Sequence, residues 1–460
     1  MKRTLAEFAR ACGGELAGAD RGFSGVSTDT RTLKPGELFV ALRGPRFNAN
    51  DFVAAAESAG AAGAVVDTRL DRPLPQIVVR DTQVALTQGA AAWRAQFSIP
   101  VVGVAGSNGK TTVKEMIATI LECRGATLAT RGNLNNHIGV PLTLYRLEPT
   151  HAQAVIEIGA NRAGEVAALV ELARPTVGLI TNAGAEHLEG FGSLEGVARA
   201  EGEMVAGLEP TATAVINADD AFASLWRGMT RARVVSFGVT NDADFSAQDL
   251  HTSIGTGGFV TRFKLRAPQG SMPIELHLAG QHNVLNALCA AAAACSAGAS
   301  LDEVRAGLAT MRPVPGRLQF KTAPSGALIV DDSYNANPSS MKAGIEVLAA
   351  VDARRWLVMG DMGELGDFAM ESHQEVGRFA RNHRIDRLFA TGKLSALAVE
   401  AFGSGAEWFA DTEALARAVN ADLTREVCVL VKGSRSNRLE RVVEALVGKT
   451  SRTEDKHGHH

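Results

Sequence analysis

Aromatic residues and cysteines are scarce in this chain. Phe, Trp and Tyr make up 5% of its 460 residues, and the formal net charge is −3. Proteins that bind nucleic acids usually carry a basic surface, so this composition argues against such a partner. The five cysteines form no C-x-x-C pair. The scattered positions of the cysteines favour free thiols in a reducing cytoplasm over disulfides or a zinc site.

Long apolar segments are also absent. Charged residues interrupt the N-terminal stretch, so it does not resemble a signal peptide. The apolar run at 287–295 is short and alanine-rich, which is typical of a buried helix and not of a membrane span. The length is enough for two to four domains. We expect domains at 1–98, 99–313 and 314–448, followed by a polar, disordered tail at 449–460.

A phosphate-binding pattern is present at residues 101–116. An apolar strand precedes a glycine-containing turn, and a helical pattern follows it. In such a loop the backbone N–H groups and the helix N-terminus attract phosphate, a lysine reaches the outer phosphates, and a hydroxyl ligates Mg²⁺. The general pattern has a glycine where Val104 stands, and the alternative is a plain turn with a solvated lysine. The candidate nucleotide-binding residues are Gly106, Ser107, Asn108, Gly109, Lys110, Thr111 and Thr112.

Polar side chains also follow two later apolar strands. Glu157 ends the first of them, and His187 lies in the loop after the second. Ligands of parallel sheets bind at the carboxyl ends of the strands. We therefore expect Lys110, Thr111, Glu157 and His187 to form a metal–nucleotide site, although any single one of them could be structural.

Weaker signals occur elsewhere, each with an ordinary structural alternative. The loop at 26–31 suits a phosphate, or is a capped turn. Asn283 and Asn286 share a helical face and suit one ligand, or are an N-cap and an exposed amide. The amide-rich segment 133–139 suits a sugar or a peptide, and Arg317 ends a linker before the last domain.

Six short segments of the sequence, taken in chain order, resemble motifs of the Mur ligase family. They span nearly the whole chain, and the ordered set is highly specific. The resemblance implies an α/β protein with a UDP-substrate-binding domain, a central P-loop ATPase with a parallel-rich sheet, and a Rossmann-like C-terminal ligase domain. The segments are GSNGKTT (106–112), EIGANRAGE (157–165), NAGAEHLEGFG (182–192), GQHNVLNALCAA (280–291), PGR (315–317) and DDSYNANPSSM (331–341).

Within the family, four stretches resemble the members that join D-alanyl-D-alanine to UDP-N-acetylmuramoyl-tripeptide. The D-N-P-R motif of the sister ligase that adds the third peptide residue is absent from the sequence. The implied reaction uses ATP to convert the tripeptide carboxylate to an acyl phosphate, which the dipeptide amine then attacks. The implied setting is cytoplasmic peptidoglycan precursor synthesis by a monomer. The stretches are NLNNHIGVPLTL (133–144), HLEGFGSLEGVA (187–198), YNANP (334–338) and MGDMGELG (359–366).

The resemblance also implies roles for individual residues. Lys110 and its loop hold the β- and γ-phosphates, Thr111 and Glu157 ligate one Mg²⁺, and Glu157 and His187 serve a second. Positions near the adenine, ribose or phosphates of ATP are matched by Asn283, Asn286, Arg317, Asp331, Tyr334 and Asn337. Positions on the UDP-substrate side are matched by Ser27, Thr28, Arg31, Asn133, Asn135 and Asn136.

Two positions depart from the family pattern. Family members commonly have a CO₂-modified lysine fourteen residues after the metal histidine, and here that position is Glu201. We expect the Glu201 carboxylate to replace the carbamate as a catalytic and metal-site residue; the alternative is a solvated helix residue. Asn50 stands where a histidine is expected, which leaves part of the uridine side of the site open.

Three other functions compete with this one. The first is a different ligase of the family, including the folate-polyglutamate enzyme, which shares the ATP chemistry but not the acceptor. The second is a GTPase-like switch, which requires an N-K-x-D guanine loop that the sequence lacks. The third is a non-catalytic sugar-nucleotide-binding module, which would not need residues for two metal ions.

Overall fold

The structure, a computed structural model, describes residues 3–44, 47–185, 188–255 and 258–448. The predicted α/β class with parallel-rich sheets is confirmed. The chain forms two compact units, each assembled from several segments. The first contains Met1–Asn182, Arg199–Phe245 and Cys289–Gly307, and the second contains Ala183–Ala198, Ser246–Leu288 and Leu308–His460. The domain borders expected near residues 98 and 313 stay predictions, and the predicted tail lies outside the described residues.

The N-terminal part of the first unit is a small α/β layer. Its five-stranded sheet has the order β1-β7-β6-β3-β2, and only the β1–β7 pair is antiparallel among the described strands of this sheet. Helix α1 starts at a capping box formed by Thr4 and Glu7, and α3 starts at Asp81, whose carboxylate accepts two backbone N–H bonds. The elements are α1 (Leu5–Ala11), β1 (Glu15–Ala17), β2 (Val26–Ser27), β3 (Leu38–Val40), β4 (Arg43–Gly44), β5 (Phe47–Asn48), α2 (Val53–Ser58), β6 (Gly63–Val66), β7 (Gln76–Val78) and α3 (Thr82–Arg94).

The central part of the first unit is built on parallel strands β8 to β13, in the order β13-β12-β11-β8-β10-β9. Every residue of β8, β10, β11 and β12 is buried, which explains their continuous apolar sequences. The strands are β8 (Val101–Ala105), β9 (Thr127–Ala129), β10 (Gln153–Glu157), β11 (Val177–Ile180), β12 (Thr213–Asn217) and β13 (Arg233–Gly238). The helices along this stretch of chain are α4 (Lys110–Glu122), α5 (Gly139–Leu144), α6 (Glu165–Ala173), α7 (Leu188–Phe191), α8 (Leu194–Ala206) and α9 (Ala223–Met229).

The later part of the chain begins with an antiparallel ribbon, β14 (Phe245–Gly255), β15 (Gly258–Ala267) and β16 (Gly270–Leu276), followed by helices α10 (Gln281–Ser296) and α11 (Leu301–Thr310). None of the helices in the described ranges is long and apolar enough to cross a membrane.

A second α/β layer in the second unit ends the described chain. Its six-stranded sheet has the order β17-β18-β22-β19-β20-β21, with an antiparallel edge pair β17–β18 and parallel pairs elsewhere. Two apolar clusters cover its two faces. The strands are β17 (Gln319–Thr322), β18 (Leu328–Asp332), β19 (Arg354–Met359), β20 (Arg387–Thr391), β21 (Ala406–Phe409) and β22 (Val427–Lys432). The helices are α12 (Pro338–Ala349), α13 (Ala369–Asn382), α14 (Ser395–Phe402), α15 (Thr412–Ala421) and α16 (Glu440–Val447).

Helices α4 and α11 approach each other closely at Gly307. A Cβ atom at this position would lie 2.5 Å from the Ile120 Cα and 2.6 Å from the Ile120 backbone nitrogen. Backbone atoms of a helix cannot move aside as a flexible side chain can. The glycine is therefore required for the packing of α4, the helix that follows the glycine-containing loop at 106–109.

We expect Gly307→Ala to lower the free energy of unfolding by about 1–3 kcal/mol through overpacking. The matched control is Gly228→Ala in α9, where a Cβ would meet no atom within 4 Å. The control should be neutral or should gain up to about 1 kcal/mol, because alanine favours a helix more than glycine does. Thermal and urea unfolding measure both variants. Equal losses in the two would contradict this account of the α4–α11 contact.

Candidate active site

The loop between β8 and α4 has a backbone that only glycine adopts easily. Gly106 has a φ of +121° and Gly109 a φ of +84°. A side chain at Gly106 would also overlap the hydroxyl of Thr181. Gly109 occupies the N-cap position of α4 and has no side chain with which to cap the helix. A glycine-lined helix N-terminus of this kind suits a bound phosphate.

The strand order sets what surrounds this loop. Strand β8 lies between β10 and β11, so the residues that follow those two strands flank the loop on either side. Such a reversal of strand order opens a crevice at the carboxyl edge of a sheet, where α/β proteins bind ligands.

Two residues that the sequence analysis did not select as ligand contacts hold the loop in place. The Asn182 side-chain oxygen accepts from the Asn108 N–H at 3.0 Å, and the Asn182 amide donates to the Asn108 carbonyl at 3.0 Å. The Thr181 hydroxyl donates to the same carbonyl at 2.7 Å. Asn217, at the end of β12, donates to the Thr181 carbonyl at 2.9 Å. The sequence feature that could have identified Thr181, Asn182 and Asn217 is their position at or directly after the end of an apolar strand.

Lys110 points back over its own loop. Its ammonium donates to the Gly106 carbonyl and, at 3.0 Å, to the Ser107 carbonyl. The positive charge therefore lies against the loop where a phosphate would bind. Thr111 and Thr112 follow in the first turn of α4, and Thr112 is buried.

Glu157, the last residue of β10, is 2% exposed. Its Oε1 accepts from Asn135 Nδ2 at 2.9 Å and lies 3.4 Å from the Thr111 hydroxyl. Its Oε2 is buried and has no hydrogen-bond partner in the described part of the protein. A buried carboxylate oxygen is costly to leave unpaired, and a cation would satisfy it.

The residues beside the loop fit a magnesium ion. Mg²⁺ takes oxygen ligands, usually one or two from the protein, and completes its shell with water and substrate phosphates. Glu157 and Thr111 supply a carboxylate and a hydroxyl in contact with each other. Across the described ranges, no group of three or more His, Cys, Asp or Glu side chains is arranged to hold a metal ion. His187, the expected ligand for a second ion, lies outside the described residues.

Glu201, on α8, is 5% exposed and touches the phosphate loop directly. Its Oε2 accepts from the Gly106 N–H at 2.7 Å. The alternative of a solvated helix residue is therefore wrong for this position. The proposed metal role of Glu201 stays a prediction, because the contact shown is to the loop backbone.

The residues expected on the UDP-substrate side differ from one another in their contacts. Asn135 contacts Glu157, whereas Asn136 caps α5 by accepting from the Ile138 and Gly139 N–H groups. Asn133 accepts from the Asn135 N–H through its backbone carbonyl.

The loop that contains Ser27, Thr28 and Arg31 is an internally bonded turn. The Ser27 hydroxyl accepts from the Asp29 N–H at 3.2 Å, and Arg31 forms a two-pronged ion pair with Asp29. Hydrogen bonds from Arg31 lower the pKa of Asp29 to about 2. The side chain of Arg31 is nevertheless 86% exposed, so a ligand anion can reach it.

Asn50 is a buried side chain that joins a polar cluster in the same α/β layer. Its amide donates to Asp67, which also pairs with Arg43 at 2.9 Å. The Asn50 Oδ1 atom is buried without a partner among the described residues. An amide oxygen therefore stands where the family pattern has an imidazole ring.

The residues of the second unit that are expected near the nucleotide contact one another or neighbouring protein side chains. Asn286 Nδ2 donates to Asn283 Oδ1 at 3.2 Å, so the two amides do share one helical face. Asp331 pairs with Lys321 at 2.7 Å. The remaining positions are an Arg317 guanidinium stacked 4.4 Å from the Tyr334 ring centroid and an Asn337 side chain that caps α12 through the Ser340 N–H at 2.9 Å.

One buried charge cluster of the second unit was missed from the sequence. Lys432, at the end of β22, pairs with Asp332 at 2.7 Å and donates to the Asn335 carbonyl at 2.9 Å. His282 lies within electrostatic range of this pair, and burial lowers its pKa to about 4. The imidazole is therefore neutral at pH 7. It adds no second positive charge beside Lys432.

Comparison with known proteins shows which family the chain belongs to. Residues 104–294 match the family described as Mur ligase middle domain, and residues 316–435 match the Mur ligase, glutamate ligase domain. The chain is 47% identical over 448 residues to the UDP-N-acetylmuramoyl-tripeptide–D-alanyl-D-alanine ligase of Escherichia coli K12, covering 96% of this chain and 98% of that one.

Two solved structures are similar over almost the full length. One is a crystal structure of MurF from Acinetobacter baumannii, with a TM-score of 0.91, 34% identity, and coverage of 97% of this chain and 99% of that one. The other is MurF ligase from Thermotoga maritima in complex with ADP, with a TM-score of 0.80, 27% identity, and coverage of 92% and 96%. The chain belongs to the Mur ligase family.

Proposed function

We propose that the chain is an ATP-dependent amide ligase that joins D-alanyl-D-alanine to UDP-N-acetylmuramoyl-tripeptide in cytoplasmic peptidoglycan precursor synthesis. The observation that carries the proposal is a phosphate loop with the buried carboxylate of Glu157 beside it, in a chain whose full-length relatives bear the name of this activity. The monomeric state and the domain roles, with the UDP end at 1–98 and the dipeptide side at 314–448, belong to the same proposal.

The chemistry requires ATP as a reactant. A carboxylate does not react with an amine, because it has no adequate leaving group. Transfer of the γ-phosphate to the tripeptide carboxylate gives an acyl phosphate. The dipeptide amine then attacks the acyl carbon, and inorganic phosphate leaves as the amide bond forms.

The residues of the loop serve the first of these steps. The Lys110 ammonium and the N–H groups at the start of α4 bind the β- and γ-phosphates and hold them in line with the carboxylate. Thr111 and Glu157 would hold a magnesium ion, which when bound neutralises charge as the two anions approach. Glu157, His187 and Glu201 are proposed to serve a second such ion.

The acceptor is tested first. With Mg-ATP and UDP-N-acetylmuramoyl-tripeptide, phosphate release should require D-alanyl-D-alanine and should not occur with diaminopimelate, lysine or glutamate. The product mass should increase by the dipeptide less one water. Turnover with a single amino acid instead would assign the chain to a sister ligase, and absence of turnover with every amine would contradict the proposed reaction.

Glu157→Gln should lower kcat by at least about a hundredfold, because a neutral amide cannot hold the cation that a carboxylate holds. Phosphate release across a range of MgCl₂ concentrations measures the effect. Glu171→Gln makes the same change at an exposed position of α6 and should keep wild-type activity. A Glu157→Gln enzyme within threefold of wild type would exclude the metal role.

Glu201 is proposed to supply a permanent carboxylate in place of a carbamate. Added bicarbonate should therefore leave wild-type turnover unchanged, and Glu201→Ala should abolish it. Glu201→Gln separates two roles, because its amide oxygen still accepts from the Gly106 N–H but has no charge. Bicarbonate activation of wild type, or full activity of Glu201→Gln, would contradict the proposed charge role.

A further inference from the structure

Lys114 is a fully buried lysine that the proposed mechanism does not use. It lies on α4 one turn after Lys110 and has 0% exposure. A buried ammonium is costly unless it is paired and hydrogen-bonded. Lys114 Nζ donates to the Thr130 carbonyl at 2.7 Å and lies 2.6 Å from Glu115 Oε1.

Thr130 connects this lysine to Glu157. Thr130 follows β9 and is 2% exposed. Its hydroxyl oxygen accepts from the Glu157 N–H at 3.0 Å, and its own N–H donates to the Val155 carbonyl at 3.1 Å. The residue that Lys114 binds therefore holds the backbone of the candidate magnesium ligand.

The segment after Thr130 also holds the Glu157 side chain. Asn135 Nδ2 donates to Glu157 Oε1, and the Asn135 carbonyl accepts from the Gly159 N–H at 2.8 Å. The backbone and the side chain of Glu157 thus both depend on residues 130–135. Lys114 anchors the start of that segment through a charge-assisted hydrogen bond, which is stronger than a neutral one.

We propose that Lys114 is a positioning residue: by fixing Thr130, it sets where the Glu157 Oε2, which has no hydrogen-bond partner among the described residues, is presented to a divalent cation. The inference rests on the proposed role of Glu157 as a magnesium ligand. It adds a second function for α4, because one face of the helix binds the phosphates and its buried lysine orders the metal ligand.

The test is Lys114→Met, which keeps most of the side-chain volume and removes the donor. In the ligand-free protein, hydrogen exchange at the Asn135 and Gly159 amides should become at least about tenfold faster, since a lost anchor of about 1.4 kcal/mol corresponds to that factor. The Kd of ADP measured by calorimetry in Mg²⁺ should rise about tenfold, while the Kd in EDTA should change less than threefold.

Two controls on the same helix separate positioning from general stability. Glu115→Gln removes the ion pair but keeps the bond from Lys114 to Thr130, and it should match wild type in both measurements. Ile117→Val removes a buried methylene and should lower the free energy of unfolding by about 0.5–1.5 kcal/mol without affecting either measurement.

The proposal is overturned if Lys114→Met leaves the difference between the Mg²⁺ and EDTA affinities unchanged, or if Glu115→Gln or Ile117→Val reproduces its effect. If Lys114→Met does not fold, Thr130→Val tests the same connection by removing the hydroxyl that accepts from the Glu157 N–H, and the same loss of Mg²⁺-dependent affinity is expected. Neither measurement needs turnover, so a failure of the proposed ligase reaction would be seen separately in the phosphate-release assay.

Discussion

The candidate site depends on the burial of one carboxylate at the end of a strand that is itself entirely buried. Glu157 has one oxygen bonded to Asn135 and a second without a partner in the described residues, beside a loop whose geometry suits anions. An unpaired buried carboxylate oxygen lowers stability. Its retention at the phosphate loop is explained if a cation bound with the nucleotide completes it.

The loop is built so that binding requires little rearrangement. Asn182 and Thr181 fix the Asn108 backbone, Glu201 accepts the Gly106 N–H, and Lys110 already lies against the loop carbonyls. Preorganised donors and charges cost little reorganisation when a phosphate arrives.

Polar and charged groups also gather at the strand ends of the second unit. The Asp332–Lys432 pair and the neutral, half-buried His282 lie at the carboxyl end of its sheet, as do the loops that carry Tyr334 and Asn337. In the parallel strands of both units the interior positions are mostly apolar, so the polar groups of these sheets concentrate where the strands end. This placement explains why Glu157 and His187 are expected at or just after the end of a strand.

The sequence by itself determined the strand–loop–helix of residues 101–116, the glycines that its turn requires, and the acidic end of β10, because periodicity and turn chemistry act between near neighbours. It also indicated the family through ordered motifs. The tertiary structure decided which donor meets which acceptor. Glu201 reaches Gly106 across 95 residues, Asn182 reaches Asn108 across 74, and Lys114 reaches Thr130 across 16. Such pairs depend on strand order, with β8 between β10 and β11, and on helix packing, neither of which is encoded in the spacing of adjacent residues.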